Sequence, residues 1–397
     1  DVLITEIGGT IGDIEGQPFI EAIRQIGREA GRGNALFIHV TLVPYLRASG
    51  EHKSKPTQHS VKELQGLGVS PDIIVLRSDE PIEDRGIFRK VADFCNVSED
   101  CVISNVTLPN LYEAPLRLEE AGLARAVCRG LGLETPEPDL SEWREMVERM
   151  HSPRRSVRIG LVGKYVRLHD AYLSVAEALR HAAWAQDASA EIAWIDAEEL
   201  EKPEGERLLS DLDGIIVPGG FGLRGTEGMF AAARYARERH LPYFGICLGM
   251  QTAVIEFARD AAGLAGANSG EFDPASPHKV IDFMPGQSES VDKGGTLRLG
   301  ACPCEIVPGT TLARCYGQDE VWERHRHRYE LNNAYRGRLT AAGLTLSGLS
   351  PDGKLVEAVE LGSERFFVGV QYHPEFKSRP NRPHPLFTGF ISAALEK

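Results

Sequence analysis

No stretch of this chain is apolar for long enough to cross a bilayer as a helix, which removes that class of membrane protein. Net positive charge is missing too: 44 Lys and Arg stand against 57 Asp and Glu, a formal charge of -13. That balance argues against a general nucleic-acid binder, yet leaves room for nucleotides held by a few local cations. Cysteine is sparse. The seven, at positions 95, 101, 128, 247, 302, 304 and 315, show no paired framework and read as reduced thiols of a cytoplasmic protein. Cys302-Pro303-Cys304 lacks the second pair of a zinc site and reads as two incidental thiols. Internal repeats, low-complexity tracts, an initiator Met and a signal peptide are all absent. The chain opens on Asp1-Val2-Leu3-Ile4-Thr5-Glu6, which reads as a buried strand. A domain rarely begins inside its sheet, so an amino-terminal portion is expected before Asp1.

What is present is ordinary globular material. The 397 residues are 42% hydrophobic and 25% charged, enough for two separately cored domains. From residue 1 to about 135, short apolar strands alternate with amphipathic helices. Leu3-Ile4, Ala35-Leu36-Phe37-Ile38, Ile73-Ile74-Val75-Leu76 and Val102-Ile103 read as strands; Phe19, Ile20, Ile23 and Ile26 fall at helical spacing. Such alternation predicts a parallel sheet with ligands at the strand carboxyl ends. Over residues 136–155, Thr135-Pro136-Glu137-Pro138 breaks the pattern and a charged helix leads to Pro153-Arg154-Arg155, an interdomain linker. A second α/β domain is expected over 156–397, with strands at Val157–Val162, Ile215–Val217, the segment entering Cys247, and Phe366–Val370.

The chemistry of the second domain centres on Tyr243-Phe244-Gly245-Ile246-Cys247-Leu248-Gly249-Met250-Gln251. Apolar residues leading to a glycine-flanked Cys, then a helix-forming stretch, predict a nucleophile on a tight strand-to-helix turn. The helix N-terminus favours an anionic sulfur there. His373 and Glu375, two apart on an extended segment, point to one side as base and base-orienter. Pro218-Gly219-Gly220-Phe221-Gly222 closes a strand with glycines, so Gly220 and Leu248 can present a pair of N–H donors to an oxyanion. Together these motifs resemble the class I (triad-type) glutamine amidotransferases. The resemblance implies that Cys247 attacks the glutamine side-chain amide, His373 shuttles protons and Glu375 orients His373. It places Gly220, Leu248, Gly249, Met250, Gln251, Glu271 and Arg328 at the glutamine. Read alone, Arg324-His325-Arg326-His327-Arg328 is a solvated basic face. Gly160-Leu161-Val162-Gly163-Lys164-Tyr165 fails as a phosphate loop, because Arg158 and Tyr165 stand where Gly and Ser or Thr are needed.

The first domain carries Glu6-Ile7-Gly8-Gly9-Thr10-Ile11-Gly12-Asp13-Ile14-Glu15, an acidic glycine-rich loop. Next comes Lys53-Ser54-Lys55-Pro56-Thr57-Gln58, two lysines held out of helix by Pro56 as a triphosphate clamp, with Lys90 as a further cation. With Leu42-Val43-Pro44-Tyr45 and Ala48-Ser49-Gly50-Glu51, these strings closely resemble the CTP synthase family. The resemblance implies ATP-dependent amination of UTP to CTP with ammonia from glutamine. By position, Glu6 is a magnesium ligand, and Asp13, Ile14 and Glu15 recognise UTP or the feedback inhibitor CTP. Lys53, Ser54, Lys55, Pro56, Thr57, Gln58 and Lys90 form the pyrimidine-triphosphate site. Val106, Thr107 and Leu108 line the ATP adenine pocket. Arg224 and Gly294-Gly295-Thr296-Leu297-Arg298 fall where the family is activated by GTP, and a homotetramer is implied.

The implied fold is α/β: a parallel-sheet, P-loop-type (dethiobiotin-synthetase-like) synthetase domain over 1–135, then a flavodoxin-like class I amidotransferase domain. The family's phosphate loop and its lysine are absent from this chain, so the first domain is expected to be incomplete at its N-terminus. Two rival readings stay open here: an amidotransferase with another acceptor, and an assembly or filament subunit.

Overall fold

The computed structural model describes residues 2–283 and 297–396. They form two compact units, Asp1–Val147 and Glu148–Lys397, each with its own core. Among the described residues no helix is long and apolar enough to cross a membrane.

The first unit is built on three parallel strands in the order Ile38–Leu42, Ile73–Ser78, Val102–Val106. The middle strand is apolar in consecutive positions because both faces are covered. Ile74 and Leu76 pack with Val61, Ile87 and Val91 of helices Lys55–Gly66 and Arg85–Cys95. Ile73 and Val75 pack oppositely with Leu118, Leu123 and Ala126. The edge strand differs: Ile38, Val40 and Leu42 are 44%, 56% and 59% exposed. Helix Gln17–Ala30 carries the anticipated apolar stripe but buries none of it.

Three expectations are corrected here. Leu3-Ile4 is not a strand; both residues are 89% exposed, and no neighbour among the described residues pairs with their backbone. Without a ladder partner, apolar character alone does not make a strand. Glu6 therefore does not end one. The strand expected at Ala35–Ile38 starts at Ile38, because the Phe37 N–H is taken by the Asp72 carboxylate (2.8 Å) and the ladder opens with Ile38 opposite Ile73. Lastly, Lys53 lies outside helix as expected, but Pro56 does not keep Lys55 out: Lys55–Gly66 is helical from Lys55, with Pro56 in the first turn. There its missing N–H has no intrahelical acceptor anyway.

The second unit holds a nine-stranded sheet. Its parallel part runs Ala188–Asp196, Arg155–Gly163, Gly214–Val217, Tyr243–Ile246, Phe367–Val370. In chain order that is 2-1-3-4-5, the flavodoxin-like arrangement, which brings ligand-binding loops to the carboxyl edge. Four antiparallel strands continue it: Val356–Glu360, Thr345–Leu349, Arg298–Ile306 and Glu320–His327. At Arg328 the chain bends out of this sheet, and Tyr329–Leu331 joins a small second sheet beside His278–Phe283. Helices Leu173–Trp184 and Pro385–Leu395 cover one face of the large sheet; Thr226–Arg239 and Leu248–Asp260 cover the other.

Candidate active site

Strand Tyr243–Ile246 delivers Cys247 to the first turn of helix Leu248–Asp260. The cysteine takes φ 52° and ψ -101°, a conformation L-residues rarely occupy and one that points the thiol away from both elements. The turn closes only because its flanks are glycine: a Cβ on Gly249 would lie 2.0 Å from the Val217 carbonyl oxygen, and one on Gly245 would lie 2.6 Å from Gly249. Tyr243 and Thr252 donate to the Gly249 carbonyl at 2.9 and 3.0 Å, and the Cys247 N–H donates to the Val370 carbonyl at 2.7 Å. The strain is thus held by hydrogen bonds on every side.

His373 follows the neighbouring parallel strand, and its Nδ1 lies 2.8 Å from Glu375 Oε1. Both are buried, and the opposite ring nitrogen, Nε2, has no other hydrogen-bond partner among the described residues. Burial alone would lower the pKa of His373; hydrogen bonds and charge from Cys247 and Glu375 outweigh it and raise the pKa to about 10. That is an imidazole disposed to hold a proton beside a sulfur nucleophile, oriented by a carboxylate. Gly219 must be glycine here, since a Cβ would meet His373 Cε1 at 2.9 Å and Cys247 Cβ at 3.6 Å.

A cavity of about 230 Å³ opens over the thiol. It is lined by Gly220, Phe221, Cys247, Gln251, Glu271, Leu297, His327, Arg328 and Tyr329. Of the residues anticipated at the glutamine, Gly220, Gln251, Glu271 and Arg328 are thus brought together with the nucleophile. Leu248 opens the helix, where an N–H has no carbonyl four residues back to bond. Gly249 and Met250 are used in packing instead: Met250 lies against Gly369 and is fully buried. Glu271 Oε1 accepts the Gly222 N–H at 2.8 Å, fixing one wall. A relay ties the other wall to the thiol: Gln251 Nε2 donates to the Tyr329 carbonyl (2.9 Å) and to Gln371 Oε1 (3.1 Å), and Gln371 Nε2 lies 3.6 Å from Cys247 Sγ.

The run Arg324–Arg328 is not a solvated basic face. In strand Glu320–His327 exposure alternates, sending Arg324 and Arg326 outward and His325 and His327 inward; Arg328, past the strand's end, turns to the cavity. Lys164 is a group that sequence reasoning discarded with the failed phosphate loop. It is buried, donates to the Phe221 carbonyl at 3.2 Å and to that of Gly222, and sits 5.7 Å over the Phe272 ring. Burial lowers its pKa to about 8 against the opposing Glu271 carboxylate. Its place at the carboxyl end of the first parallel strand was the signal to heed. Arg224 pairs with Glu198 (2.5 Å) and donates to the Lys164 carbonyl (2.6 Å). Of the other stretch associated with GTP, Gly294, Gly295 and Thr296 lie outside the described residues.

In the first unit, two of the candidate stretches, Lys53–Gln58 and Val106–Thr107, lie at the carboxyl edge of the three-stranded sheet. Thr57 Oγ1 donates to the Leu42 carbonyl (3.3 Å), and the Lys53 N–H to that of Pro44 (3.0 Å), which seats Lys53–Gln58 beyond the edge strand. Thr57 is fully buried, Gln58 donates to Ser54 Oγ (3.2 Å), and Lys53 pairs with Glu51 at 2.5 Å. Val106 ends its strand, and Thr107 is tied to Asp79 (3.0 Å) and the Ser78 carbonyl (2.9 Å). Lys55, Lys90, Asp13 and Glu15 are exposed, as is Ile14; Asp13 accepts the Thr10 N–H at 2.9 Å. Glu6 is exposed as well, and no group of three or more His, Cys, Asp or Glu among the described residues is arranged for a metal ion. A lone carboxylate does not build a resident magnesium site, so no step below runs through the ion.

Comparison with known proteins bears on both units. The family model "CTP synthase N-terminus" matches residues 1–133, and "Glutamine amidotransferase class-I" matches 167–393. The CTP synthase of Carboxydothermus hydrogenoformans is 59% identical over 100% of this chain and 74% of its own length. That of Thermomicrobium roseum is 59% identical over 99% of this chain and 71% of its own. A solved glutaminase domain of Trypanosoma brucei CTPS with bound acivicin is 44% identical, with TM-score 0.58, covering 61% of this chain and 94% of that one. These matches stand against the expectation of a first domain incomplete at its front, and the chain spans 71–74% of the length of these relatives. The amino-terminal family model is met from residue 1, and the relatives align across 99–100% of the chain.

Proposed function

The chain belongs to the CTP synthase family, and from that premise we propose how its residues divide the work of aminating UTP to CTP. The enzyme is a glutamine-hydrolysing carbon–nitrogen ligase that uses ATP and UTP. Cys247 Sγ attacks the side-chain amide carbon of glutamine, forming a tetrahedral oxyanion that the Gly220 and Leu248 N–H groups hold. His373 gives its proton to the departing nitrogen, ammonia leaves, and the acyl group stays on sulfur. Water, deprotonated by His373, then releases glutamate. Glu375 keeps the imidazolium oriented throughout. Arg328 takes the α-carboxylate of glutamine and Glu271 its α-amino group, while Gln251 holds the cavity wall.

Further assignments are carried on the same terms. Lys53, Ser54, Lys55, Pro56, Thr57, Gln58 and Lys90 bind the pyrimidine triphosphate, Asp13, Ile14 and Glu15 recognise UTP or CTP, and Val106, Thr107 and Leu108 hold adenine. ATP activates the uracil O4 as a leaving group and ammonia displaces it. GTP activates, and the enzyme is a cytoplasmic homotetramer.

The observation that carries this reading is the strained turn at Cys247 facing a His373–Glu375 pair 2.8 Å apart. A glutamine-analogue electrophile tests it. Burial pushes the Cys95, Cys304 and Cys315 thiols up, so they hold little thiolate to react. Mass spectrometry should find Cys247 modified and the other six cysteines spared; labelling centred on Cys95 or Cys304 would overturn the assignment.

A further inference from the structure

Behind Arg328 lies a buried group of ionisable side chains that the chemistry above does not use. Arg298 Nη1 is 2.6 Å from Glu357 Oε1 and 3.8 Å from Glu330 Oε1. His325 Nε2 faces Glu357 Oε2 at 3.6 Å, and His327 Nδ1 faces Glu330 Oε1 at 3.6 Å. Between them His325 Nδ1 and His327 Nε2 meet at 3.0 Å. The two histidines and two glutamates are each no more than 4% exposed. Burial leaves these carboxyl oxygens and outer ring nitrogens few partners beyond the atoms they face: Glu357 Oε1 has Arg298, and His327 also has the Tyr329 backbone in reach.

Proton counting then constrains the group. Three contacts join Glu330, His327, His325 and Glu357 in a row, the outer two at 3.6 Å, and each sets lone pair against lone pair unless a proton lies between. Two neutral histidines bring one apiece; the third must sit on a carboxyl. Arg298 lies 2.6 Å from Glu357 and 3.8 Å from Glu330, so it favours the charge on Glu357 over that on Glu330, and the proton belongs to Glu330. One polarity satisfies the row: Glu330 O–H toward His327 Nδ1, His327 Nε2–H to His325 Nδ1, and His325 Nε2–H toward Glu357. Without the Glu330 proton, some contact must set a lone pair against a carboxylate.

We propose that Arg298, His325, His327, Glu330 and Glu357 form a one-proton clamp that positions Arg328 for glutamine. The inference rests on the reading that Arg328 holds the glutamine carboxylate. His327 and Glu330 straddle the bend at Arg328, and Arg298 and Glu357 belong to strands behind it. The same bend sets the Tyr329 carbonyl to which Gln251 donates, so a shift there reaches the relay to Cys247. Arg336 is near enough to favour charge on Glu330, and His373 disfavours charge on both histidines. Arg336 gives its guanidinium to the carbonyls of Gly353 and Lys354 (2.7 and 2.7 Å), and Asp282, opposite on the ladder, accepts the Phe283 N–H (2.9 Å). Titration directions agree for the two histidines and Glu330, while at Glu357 burial opposes the charge that Arg298 favours. Burial lowers His325 to about 2 and His327 to about 3, keeping both neutral; burial raises Glu357 and takes Glu330 to about 8.

The pH dependence of KM for glutamine tests the clamp. As pH rises through about 8, Glu330 loses its proton and the corner loosens, so KM of the parent should rise by up to about tenfold between pH 7 and pH 9, with kcat moving less. Glu330→Gln carries a permanent N–H donor and should hold the rise below about twofold; Glu330→Leu has none and should show a raised KM at every pH. Ionisation of the substrate's own amino group is common to all three, so the difference reports the clamp. Selectively labelled histidine NMR of the parent should find both rings neutral as Nε2–H tautomers near pH 7. A Glu330→Gln profile matching the parent's, or a charged His325 or His327 in that spectrum, would overturn the proposal. Arg328→Met separates it from its premise: unchanged KM there removes the carboxylate-holding role, whereas a raised KM beside a parent-like Glu330→Gln removes only the clamp.

Discussion

The carboxyl edges of the two parallel sheets are built on opposite plans. In the second unit the edge is enclosed: Cys247 is 4% exposed, its turn is pinned by Gly249, and His373 and Glu375 are already 2.8 Å apart. In the first unit the cations expected at the edge lie open, with Lys55 in solvent and Lys53 neutralised by Glu51, while Ser54 and Thr57 beside them are buried. The substrates account for the contrast. Glutamine's amide is uncharged, so the field that makes it react must be assembled beforehand, away from water. A nucleoside triphosphate brings several charges of its own and can organise long cationic side chains as it binds. The second edge is therefore a rigid device, and the first a surface waiting for its ligand.

Removing the nucleophile should break that contrast most completely. Cys247→Ala should lower glutamine hydrolysis by at least about 10⁴-fold while leaving UTP binding, measured by calorimetry, untouched. Equal loss in both assays would mean the two edges are not separable. His373→Ala comes next, at about 10³- to 10⁴-fold, because proton transfer disappears. Glu375→Gln should lose less, about 10²-fold, since the imidazole remains and only its orientation and charge partner are weakened; steady-state rates at neutral pH distinguish the two. The pH profile should also shift: Glu375 is one of the groups holding the pKa of His373 near 10, so Glu375→Gln should bring the imidazolium's loss of its proton to lower pH.

Packing supplies a milder comparison. Gly249→Ala places a methyl group 2.0 Å from the Val217 carbonyl, so the strand-to-helix turn must move. The cost should be about 1–3 kcal/mol of stability, read as a lowered melting temperature of the second unit. Val40→Thr, on the exposed strand of the first unit, should change stability by less than about 0.5 kcal/mol. A large effect of Val40→Thr would show that the 56% exposed valine is covered in solution.

How far such features can be read from sequence follows the same division. The turn was legible because its requirements are local: glycines at 245 and 249, an apolar strand before, a helix after. His373 and Glu375 were legible as a pair from their spacing alone. The two inward histidines obey the period of two in strand Glu320–His327, once that strand is known to have a buried face; Arg328, on the other parity, reaches the cavity because the chain bends there. The Arg298–Glu330–Glu357 group was not legible, because it needs residues from three strands whose pairing spans some sixty positions. Leu3-Ile4 failed for the converse reason: apolar composition was read as a strand where no partner supplies the ladder. Pro56 misled because position within a helix, rather than proline itself, decides whether the helix stops.

The smallest predicted effect asks whether the open edge really waits for its ligand. Lys53 is paired with Glu51 across 2.5 Å, both side chains substantially exposed, and such surface pairs contribute little to stability. A triphosphate that recruits Lys53 must draw it away from that partner. Lys53→Ala removes the cation and should weaken UTP binding by about tenfold. Glu51→Gln removes only the competitor and should tighten UTP by about two- to threefold, an effect that high salt erases by screening the charges involved. Opposite signs in the two variants, measured by calorimetry at low ionic strength, would establish that the pair is a resting state displaced on binding. Weakened binding in both would show instead that Glu51 helps build the site, and that this part of the first edge is as preassembled as the second.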